Sequence, residues 1–460
     1  LKKALPDALI LLGGPEAGME PSAMLERYGF IDYVISGAGE EPLKNLLDSL
    51  ENNKEPYAEG IWSRNECFGG YAMAPIDSPM PYSLDDITNC KNKILYYEAS
   101  RGFYNKCAYC LSSVDKCMYY DIEKVKKELL FMSEHGAKLI KLIDRSFNAD
   151  KKRAKELFAF LSKNTQDTKF HFEIAPDIFD EEMFSVLSSV PKGKFQFEAG
   201  IQSLNIKTLE AINRKTDIDK ALDNIRKIKS LGNIEIHVDI IAGLPYEDLE
   251  SFIKTFNGVY DLKADMLSLG FLKLLKGTEI RKRAEEFEIV YNSFPPYEVI
   301  RTSCISPFEL SLLKGVEEAL ERLYNSGAFK NTIAKLEKKY PSPFDLYKDL
   351  SKAFSPGEPR SSIYSKLLCK YGKELKESLI LDFMASGEKK PPQGFEPIIS
   401  DDFRNRCFEF IEKYTDEIFP EYKELPYKEL HKKLTFYAFD CGTYVADKAG
   451  GVSLNITERF

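Results

Sequence analysis

Two cysteines, Cys107 and Cys110, are the residues of this sequence most clearly spaced for chemistry. A tight turn brings the sulfurs of a Cys-x-x-Cys segment together, so both thiolates can bind one metal centre or act as a redox pair. A zinc site would need two further ligands, and Cys117 is the only nearby cysteine on the C-terminal side. The spacing alone leaves open a metal centre, a thioredoxin-like pair, and two cysteines that merely share a loop.

The cysteine pair follows the first strand of a regular strand–helix alternation. One helix is well marked, since Asp121 can cap its start and Gly136 can end it. Such an alternation predicts an α/β fold, a sheet of parallel strands whose reactive groups gather at the carboxyl ends. We predict six strands, at residues 94–99, 138–143, 169–174, 195–199, 234–241 and 266–271.

Polar side chains stand at several of these strand ends. Glu173 ends the third strand, Gln202 follows the fourth, Arg214 lies on the next helix, and Asp239 ends the fifth. Taken singly, each could be a solvated acid, a turn residue or an exposed helix charge. The carboxyl ends of the strands are nevertheless where reactive groups gather in such folds. His237 alternates with Asp239 on its strand, but a structural role is the better interpretation for that histidine.

The cysteine loop, residues 100–110, resembles the cluster-binding loop of the radical S-adenosylmethionine (SAM) superfamily, in which Cys-x3-Cys-x2-Cys follows the first strand of a partial (β/α)6 barrel. In that family three thiolates hold a [4Fe–4S] cluster, and the fourth iron binds SAM. Cys107 and Cys110 match the second and third cysteines, and Tyr109 matches the aromatic residue beside the adenine. The first cysteine position falls on Phe103.

Phe103 is a departure that bears directly on the chemistry. A phenyl ring cannot bind iron, and two thiolates would leave two irons of a cubane cluster exposed, so we expect such a cluster to be labile. Cys90 and Cys117 are conceivable substitutes, but neither has the family spacing.

The other strand ends resemble the branch of this superfamily that includes coproporphyrinogen dehydrogenases and methylthiotransferases. The matching segments are residues 144–148, 172–174, 198–203, 213–214 and 239–245. The resemblance implies that Glu173, Gln202 and Asp239 hydrogen-bond the ribose or methionyl part of SAM. It also implies that Arg214 pairs with the SAM carboxylate, a role suited to its forked donors.

Residues 1–55 resemble the C-terminal part of a Rossmann-like cobalamin-binding domain, with strands at 8–12 and 33–35. Gly13 and Gly14, in the first of two Gly-rich turns, would line the nucleotide tail of cobalamin, where small residues allow close approach. The family's Asp-x-His-x-x-Gly motif is absent. The chain starts at Leu1, so we expect a truncated domain and expect cobalamin only in a full-length protein.

The remaining domain limits follow from composition and periodicity. Residues 56–92, rich in proline, glycine, asparagine and serine, predict a linker, and residues 93–289 form the predicted barrel. Residues 290–460 predict a helical C-terminal domain, as in a group of cobalamin-domain radical SAM proteins whose C-terminal domain has no assigned function.

Composition limits the partners. The 460 residues include 64 Lys and Arg against 72 Asp and Glu, a net charge of −8, so no global field would attract nucleic acid or an anionic membrane. No apolar run is long enough for a membrane span. Nine cysteines without a leader segment predict reduced thiols and a cytoplasmic location.

The sequence therefore predicts a radical SAM enzyme acting on an unknown small-molecule or protein substrate. By the family mechanism, a reduced cluster cleaves SAM to a 5′-deoxyadenosyl radical, with electrons from a donor such as flavodoxin or ferredoxin. The alternative is a non-catalytic descendant that binds SAM without a functional cluster, which Phe103 favours. A zinc-binding module is a third, weaker interpretation.

Overall fold

A computed structural model describes residues 2–460 except 57, 65–68, 74–77, 91, 104, 115–116, 166, 355–356, 387–390, 399, 424 and 448–451. The chain forms two compact units, Leu1–Leu310 and Ser311–Phe460. Within the described ranges, no helix combines the length and apolarity that a membrane crossing requires.

The first unit starts with a small sheet, β1 (Leu11–Leu12), β2 (Tyr33–Ile35) and β3 (Ile61–Ser63), in that order. β1 and β2 are parallel, and β3 runs antiparallel to β2. The same part of the chain forms the helices α1 (Pro15–Gly18), α2 (Pro21–Arg27), α3 (Glu40–Glu51) and α4 (Leu84–Asn89). We predicted a linker for residues 56–92, and the structure places β3 and α4 within it.

The centre of the first unit is an open sheet of six parallel strands, which confirms the predicted α/β class. Its strands neighbour one another in chain order, as a partial barrel requires. They are β4 (Ile94–Tyr97), β7 (Leu139–Leu142), β8 (Lys169–Ile174), β9 (Phe195–Gln202), β10 (Glu235–Ala242) and β11 (Met266–Phe271). The short hairpin β5 (Ser100–Arg101) and β6 (Met118–Tyr119) flanks the loop that carries the cysteine pair.

Helices follow the strands of this sheet along the chain: α5 (Ile122–Glu134), α6 (Lys151–Asn164), α7 (Glu181–Ser188), α8 (Ile206–Ala211), α9 (Ile218–Leu231), α10 (Leu249–Tyr260) and α11 (Glu279–Lys282). Aspartates cap five of these helices, namely Asp121, Asp150, Asp180, Asp217 and Asp248. Each side chain accepts a bond from the backbone N–H three residues later, which fixes where each helix starts.

The two faces of the six-stranded sheet differ sharply. Four fully buried phenylalanines lie on the outer face. Phe172, Phe195 and Phe197 contact Phe158 of α6, and Phe170 packs on Phe172 and Phe195. The alternating residues of the same strands are polar and face the concave side. The apolar layer holds the strands, while the polar face is left available for a site.

The segment after the sheet contains the hairpin β12 (Val290–Tyr291) and β13 (Val299–Arg301), then α12 (Pro307–Leu320), which crosses into the second unit. The second unit is mainly helical, as predicted: α13 (Lys330–Leu336), α14 (Pro343–Leu350), α15 (Arg360–Tyr371), α16 (Lys373–Ala385), α17 (Asp401–Ile418) and α18 (Tyr427–Lys433). It also holds an antiparallel sheet that we did not predict: β14 (Leu434–Phe439), β15 (Gly442–Asp447) and β16 (Val452–Asn455).

Candidate functional site

A cleft of about 220 Å³ lies at the carboxyl ends of the six parallel strands. It collects the five residues predicted to bind SAM, together with Cys110 of the cysteine pair and Phe103. The lining residues are Phe103, Asn105, Tyr109, Cys110, Arg145, Ser146, Glu173, Ile174, Ala175, Glu198, Gly200, Gln202, Arg214, Thr216 and Asp239. One concave site therefore brings together residues from the strands β8, β9 and β10 and from the loops beside them. Arg214 belongs to the loop between α8 and α9, although we predicted it on a helix.

The cysteine loop forms one wall of the cleft and is held by backbone bonds. The Cys110 N–H donates to the Cys107 carbonyl (3.1 Å), which makes the expected tight turn. Between the two cysteines, the Ala108 N–H donates to the Ile212 carbonyl (2.8 Å), and the Ala108 carbonyl accepts from the Ile280 N–H (2.8 Å). These bonds fix the loop against segments that follow β9 and β11.

Cys107 lies behind the cleft wall and is fully buried. Burial raises the pKa of its thiol, and the nearby Arg214 opposes that shift in part, with Nη1 at 3.7 Å from Sγ. The same Nη1 lies 3.4 Å from the Tyr109 hydroxyl. Arg214 thus joins the cysteine loop to the far side of the cleft.

Gln202 and Arg214 present polar atoms without partners. Gln202 Oε1 and Arg214 Nε are buried and bond to nothing within the described part of the chain. Gln202 adopts a positive φ of 71°, and Arg214 Nη2 donates to the Gly200 carbonyl. A Cβ on Gly200 would lie 2.1 Å from Gln202 Nε2, so only glycine leaves the Gln202 amide in place. Buried unpaired atoms in a cleft indicate a polar ligand.

Three carboxyl groups share the cleft in different states. Glu198 stays ionised, with a pKa of about 2, because His171 Nε2 (2.8 Å) and Lys141 Nζ (3.1 Å) lie against it. Burial and the charge of Glu198 raise the pKa of Asp239 to about 7. Burial also raises the pKa of Glu173. The site therefore holds one fixed negative charge beside two groups that ionise less readily.

Sequence reasoning did not single out Glu198 as a site residue. Glu173 and Glu198 are paired in the register of β8 and β9, and Glu198 lies two residues before Gly200 on the same strand face. Strand alternation from Gln202 and Gly200 back to Glu198 was the signal that could have found it. Arg145 also lines the cleft, with Nη1 at 3.4 Å from Glu173 Oε1.

The residues of the loop after β7, which the resemblance places near the SAM amino group, lie in two different environments. Arg145 and Ser146 line the cleft. Asp144 is instead buried, where it accepts bonds from the Ala99 N–H (3.0 Å) and the Ser100 hydroxyl (2.5 Å), and burial raises its pKa to about 6. Asp144 supports the start of the cysteine loop and does not face a ligand.

The donor set does not fit a cluster held by three thiolates. Phe103 lines the cleft at the position of the first cysteine. Within the described ranges, no three Cys, His, Asp or Glu side chains are grouped to hold one metal. Cys90 and Cys117 are therefore not brought to Cys107 and Cys110. The unpaired atoms of Gln202 and Arg214, by contrast, fit a polar ligand such as SAM.

The predicted cobalamin residues lie in the turn after β1. Gly14 has a positive φ of 82°, and a Cβ there would meet no atom within 4 Å, so the turn leaves room beside it. A Cβ on Gly13 would make an ordinary 3.9 Å contact with Ile35. All four histidines of the sequence follow residue 93, so residues 1–92 offer cobalt no imidazole.

Two families match the chain. Residues 99–258 match the radical SAM superfamily, and residues 285–451 match a protein family of unknown function, DUF4080. The cobalamin-dependent radical SAM methyltransferase TokK of Streptomyces tokunonensis is 23% identical over 290 residues, covering 55% of this chain and 40% of TokK. The tRNA-2-methylthio-N(6)-dimethylallyladenosine synthase of Buchnera aphidicola is 22% identical over 350 residues, 73% of this chain and 76% of that protein.

The solved structure of OxsB, a cobalamin-dependent SAM radical enzyme with aqua-cobalamin bound, is similar in fold. Its TM-score is 0.54 at 17% identity, covering 91% of this chain and 64% of that one. The chain thus spans 40% of TokK and under two thirds of OxsB. This chain contains a radical SAM domain with homology to cobalamin-dependent radical SAM methyltransferases, and a C-terminal DUF4080 domain.

Proposed function

We propose that the protein is a radical SAM enzyme that binds SAM in the strand-end cleft and acts on a substrate still to be identified. The buried, unpaired Gln202 Oε1 and Arg214 Nε carry this proposal. A ligand with hydroxyl donors and a carboxylate would satisfy both atoms, and SAM has both kinds of group. Leaving such atoms unpaired costs about 1–3 kcal/mol each, which ligand binding would recover.

Each cleft residue has a role in this proposal. Tyr109 lies along the adenine, and Glu173, Gln202 and Asp239 bind the ribose or methionyl part. Arg214 pairs with the SAM carboxylate, since its guanidinium already reaches from the cysteine loop to Gly200.

Glu198 adds the charge that a cationic ligand needs. SAM carries a sulfonium, and Glu198 is held ionised by His171 and Lys141 at the edge of the cleft. A fixed carboxylate in a partly enclosed site attracts a cation more strongly than one in open solvent.

When bound, a [4Fe–4S] cluster would supply the electron that cleaves SAM in this family. Cys107 and Cys110 supply two of the three thiolates, and Phe103 supplies none. Two thiolates do not complete the ligand set of the cluster, so the role that the residues of this chain support is the binding of SAM. An electron donor such as flavodoxin or ferredoxin, and cobalamin as a further cofactor, belong to the same proposal.

Phe103 also favours a second candidate function, a SAM-binding protein without radical chemistry. In that case the cleft binds SAM through Arg214 and Gln202 alone. The two candidates share the pocket and differ in metal content.

A pair of proteins separates these candidates. The wild-type chain and Phe103→Cys are reconstituted anaerobically with iron and sulfide, then compared for bound iron, bound sulfide and 5′-deoxyadenosine formed from SAM under reduction. We expect Phe103→Cys to hold a stable cluster and cleave SAM, because the substitution restores the third thiolate.

The wild-type chain decides between enzyme and binder. Cluster and 5′-deoxyadenosine in the wild type support the radical enzyme, whereas SAM binding without either supports the second candidate. If neither protein binds SAM in equilibrium dialysis, the assignment of the cleft is wrong. Phe354→Cys, which adds a cysteine in the other compact unit, controls for nonspecific iron binding.

A further inference from the structure

Both Gly-rich turns of the N-terminal sheet end in a glutamate that contacts the barrel segment. Glu16, after β1, accepts a hydrogen bond from the Tyr297 hydroxyl (2.6 Å) and pairs with Lys276 Nζ (2.9 Å). Glu40, after β2, accepts a bond from Arg101 Nη1 (2.8 Å). The carboxyl end of the small sheet is therefore fixed at two places, to β5 of the hairpin and to the segment after β11.

The contact made by Glu40 leads directly to the cysteine loop. Arg101 is also held by Glu98, through Nε (2.9 Å) and Nη2 (2.7 Å) to one carboxylate oxygen, so its guanidinium is fixed on two sides. Phe103, two residues later, lines the cleft. Glu40 thus helps to place the first part of the cleft wall.

The contact made by Glu16 leads to the same loop through a second segment, residues 276–280. Gly277, next to Lys276, has a positive φ of 80° and packs so tightly on Met19 that a Cβ would lie 2.6 Å from its sulfur. Three residues on, the Ile280 N–H donates to the carbonyl of Ala108, between the two cysteines. Movement of this segment would therefore move the centre of the loop.

The titration behaviour of these groups agrees with the geometry. Although partial burial disfavours its charge, the bonds from Lys276 and Tyr297 lower the pKa of Glu16 on balance. Burial likewise opposes the charge of Glu40, and the bond from Arg101 lowers its pKa on balance. Both glutamates are ionised in the neutral range, as ion pairs require.

We propose that Glu16 and Glu40 are positioning residues for the SAM cleft, acting through residues 276–280 and Arg101 on the cysteine loop. The proposal rests on the proposed SAM site. In this proposal the N-terminal sheet sets the position of the loop that carries Tyr109 and Cys110, whether or not the sheet also binds a ligand.

The test uses the whole chain and compares Glu40→Gln with Glu41→Gln. Glu41 is exposed and lies in the same first turn of α3, so both variants remove one charge from the same helix end. We expect Glu40→Gln to raise the Kd for SAM about two- to fivefold, the range for a partly exposed ion pair, and Glu41→Gln to leave it unchanged. Glu16→Gln should weaken SAM binding by a similar factor.

A double-mutant cycle separates positioning from general destabilisation. In an Arg101→Gln background, Glu40→Gln should no longer change the Kd, because its route to the loop is gone. Hydrogen exchange of residues 101–110 provides a readout without SAM, and should accelerate in Glu40→Gln but not in Glu41→Gln.

Three results bear on the inference in different ways. Unchanged Kd and exchange in both Glu16→Gln and Glu40→Gln, while the wild type binds SAM, overturn it. Additive effects of Glu40→Gln and Arg101→Gln overturn the route through Arg101. Failure of the wild type to bind SAM refutes the proposed function instead, and the exchange measurement then still decides whether the glutamates hold the loop.

Discussion

Glu247 should make the stability of the protein fall as the pH rises, and replacing it with glutamine should remove that dependence. The side chain is 1% exposed, and Oε1 accepts bonds from the Ser203 hydroxyl (2.5 Å) and the Thr255 hydroxyl (3.0 Å). Oε2 has no partner among the described residues. Burial raises the pKa of Glu247 to about 7, so the folded state holds its proton far more tightly than the unfolded chain.

The sign and size follow from linkage. Because the folded protein binds the proton up to about pH 7 while an unfolded glutamate releases it near 4.5, stability is lost as the pH rises between these values. The full loss is about 3 kcal/mol. Glutamine keeps the bonds from Ser203 and Thr255 and carries no charge. Glu247→Gln should therefore gain about 2–3 kcal/mol relative to wild type between pH 5 and pH 8.

Thermal unfolding at the two pH values measures this gain. For a unit of this size, the variant should melt about 4 °C higher than the wild type at pH 8 and close to it at pH 5. Glu210→Gln, an exposed substitution in the same unit, should show no such difference. A melting difference between Glu247→Gln and wild type that is the same at both pH values would refute the reasoning.

Two further predictions concern the cleft. Gly200→Ala should raise the Kd for SAM at least tenfold with little change in melting temperature, because its Cβ displaces the flexible end of Gln202. Gly29→Ala is the control, since a Cβ there meets open space. Equal effects of the two substitutions on the Kd would contradict the assignment of Gln202. SAM affinity should rise between pH 6 and pH 8 as Asp239 ionises, since a carboxylate accepts ribose hydroxyl bonds better than a carboxylic acid. Calorimetry of Asp239→Asn should show most of that rise removed, and an unchanged slope would exclude Asp239 as its cause.

The sheet could be predicted from the sequence because its signals are local. The strands carry buried apolar residues at alternate positions. Five of the helices begin at an aspartate, and α5 shows the pattern, with Asp121 at its start and a buried stripe of Val125, Leu129 and Met132. The shared location of Glu173, Gln202 and Asp239 then follows from topology, since parallel strands end at one edge.

Among the strands that were not predicted, β3 and β14 to β16 have weak local sequence signals or lie beside stronger helical ones. β3 is three residues long inside a stretch dominated by turn-forming residues, so no periodicity could show it. β14, β15 and β16 follow a long helical region. The helical periodicity of that region led to a helical prediction for all of residues 290–460, so these three strands were not predicted. Short strands depend on their pairing partners, and pairing is not local in sequence.

The missed contacts are long-range side-chain pairs. Glu16 and Tyr297 are 281 residues apart, and Glu40 and Arg101 are 61 apart. Both glutamates end Gly-rich segments that, by the resemblance to a cobalamin-binding domain, would line the nucleotide tail. Only the packing of that sheet on the barrel segment shows that their carboxylates bind protein side chains.

Phe103 and the rest of the cleft favour different functions. Phe103 argues against a cluster held by three thiolates, whereas the buried polar atoms of the cleft argue for a bound ligand. Phe103 costs the fold nothing, because an aromatic ring beside a partly open cleft needs no partner. Gln202 Oε1 and Arg214 Nε do carry a cost, since each is buried without a bond. Unpaired polar groups held in fixed positions favour an occupant, so phenylalanine at the first cysteine position takes away a cluster ligand and leaves the proposed SAM site intact.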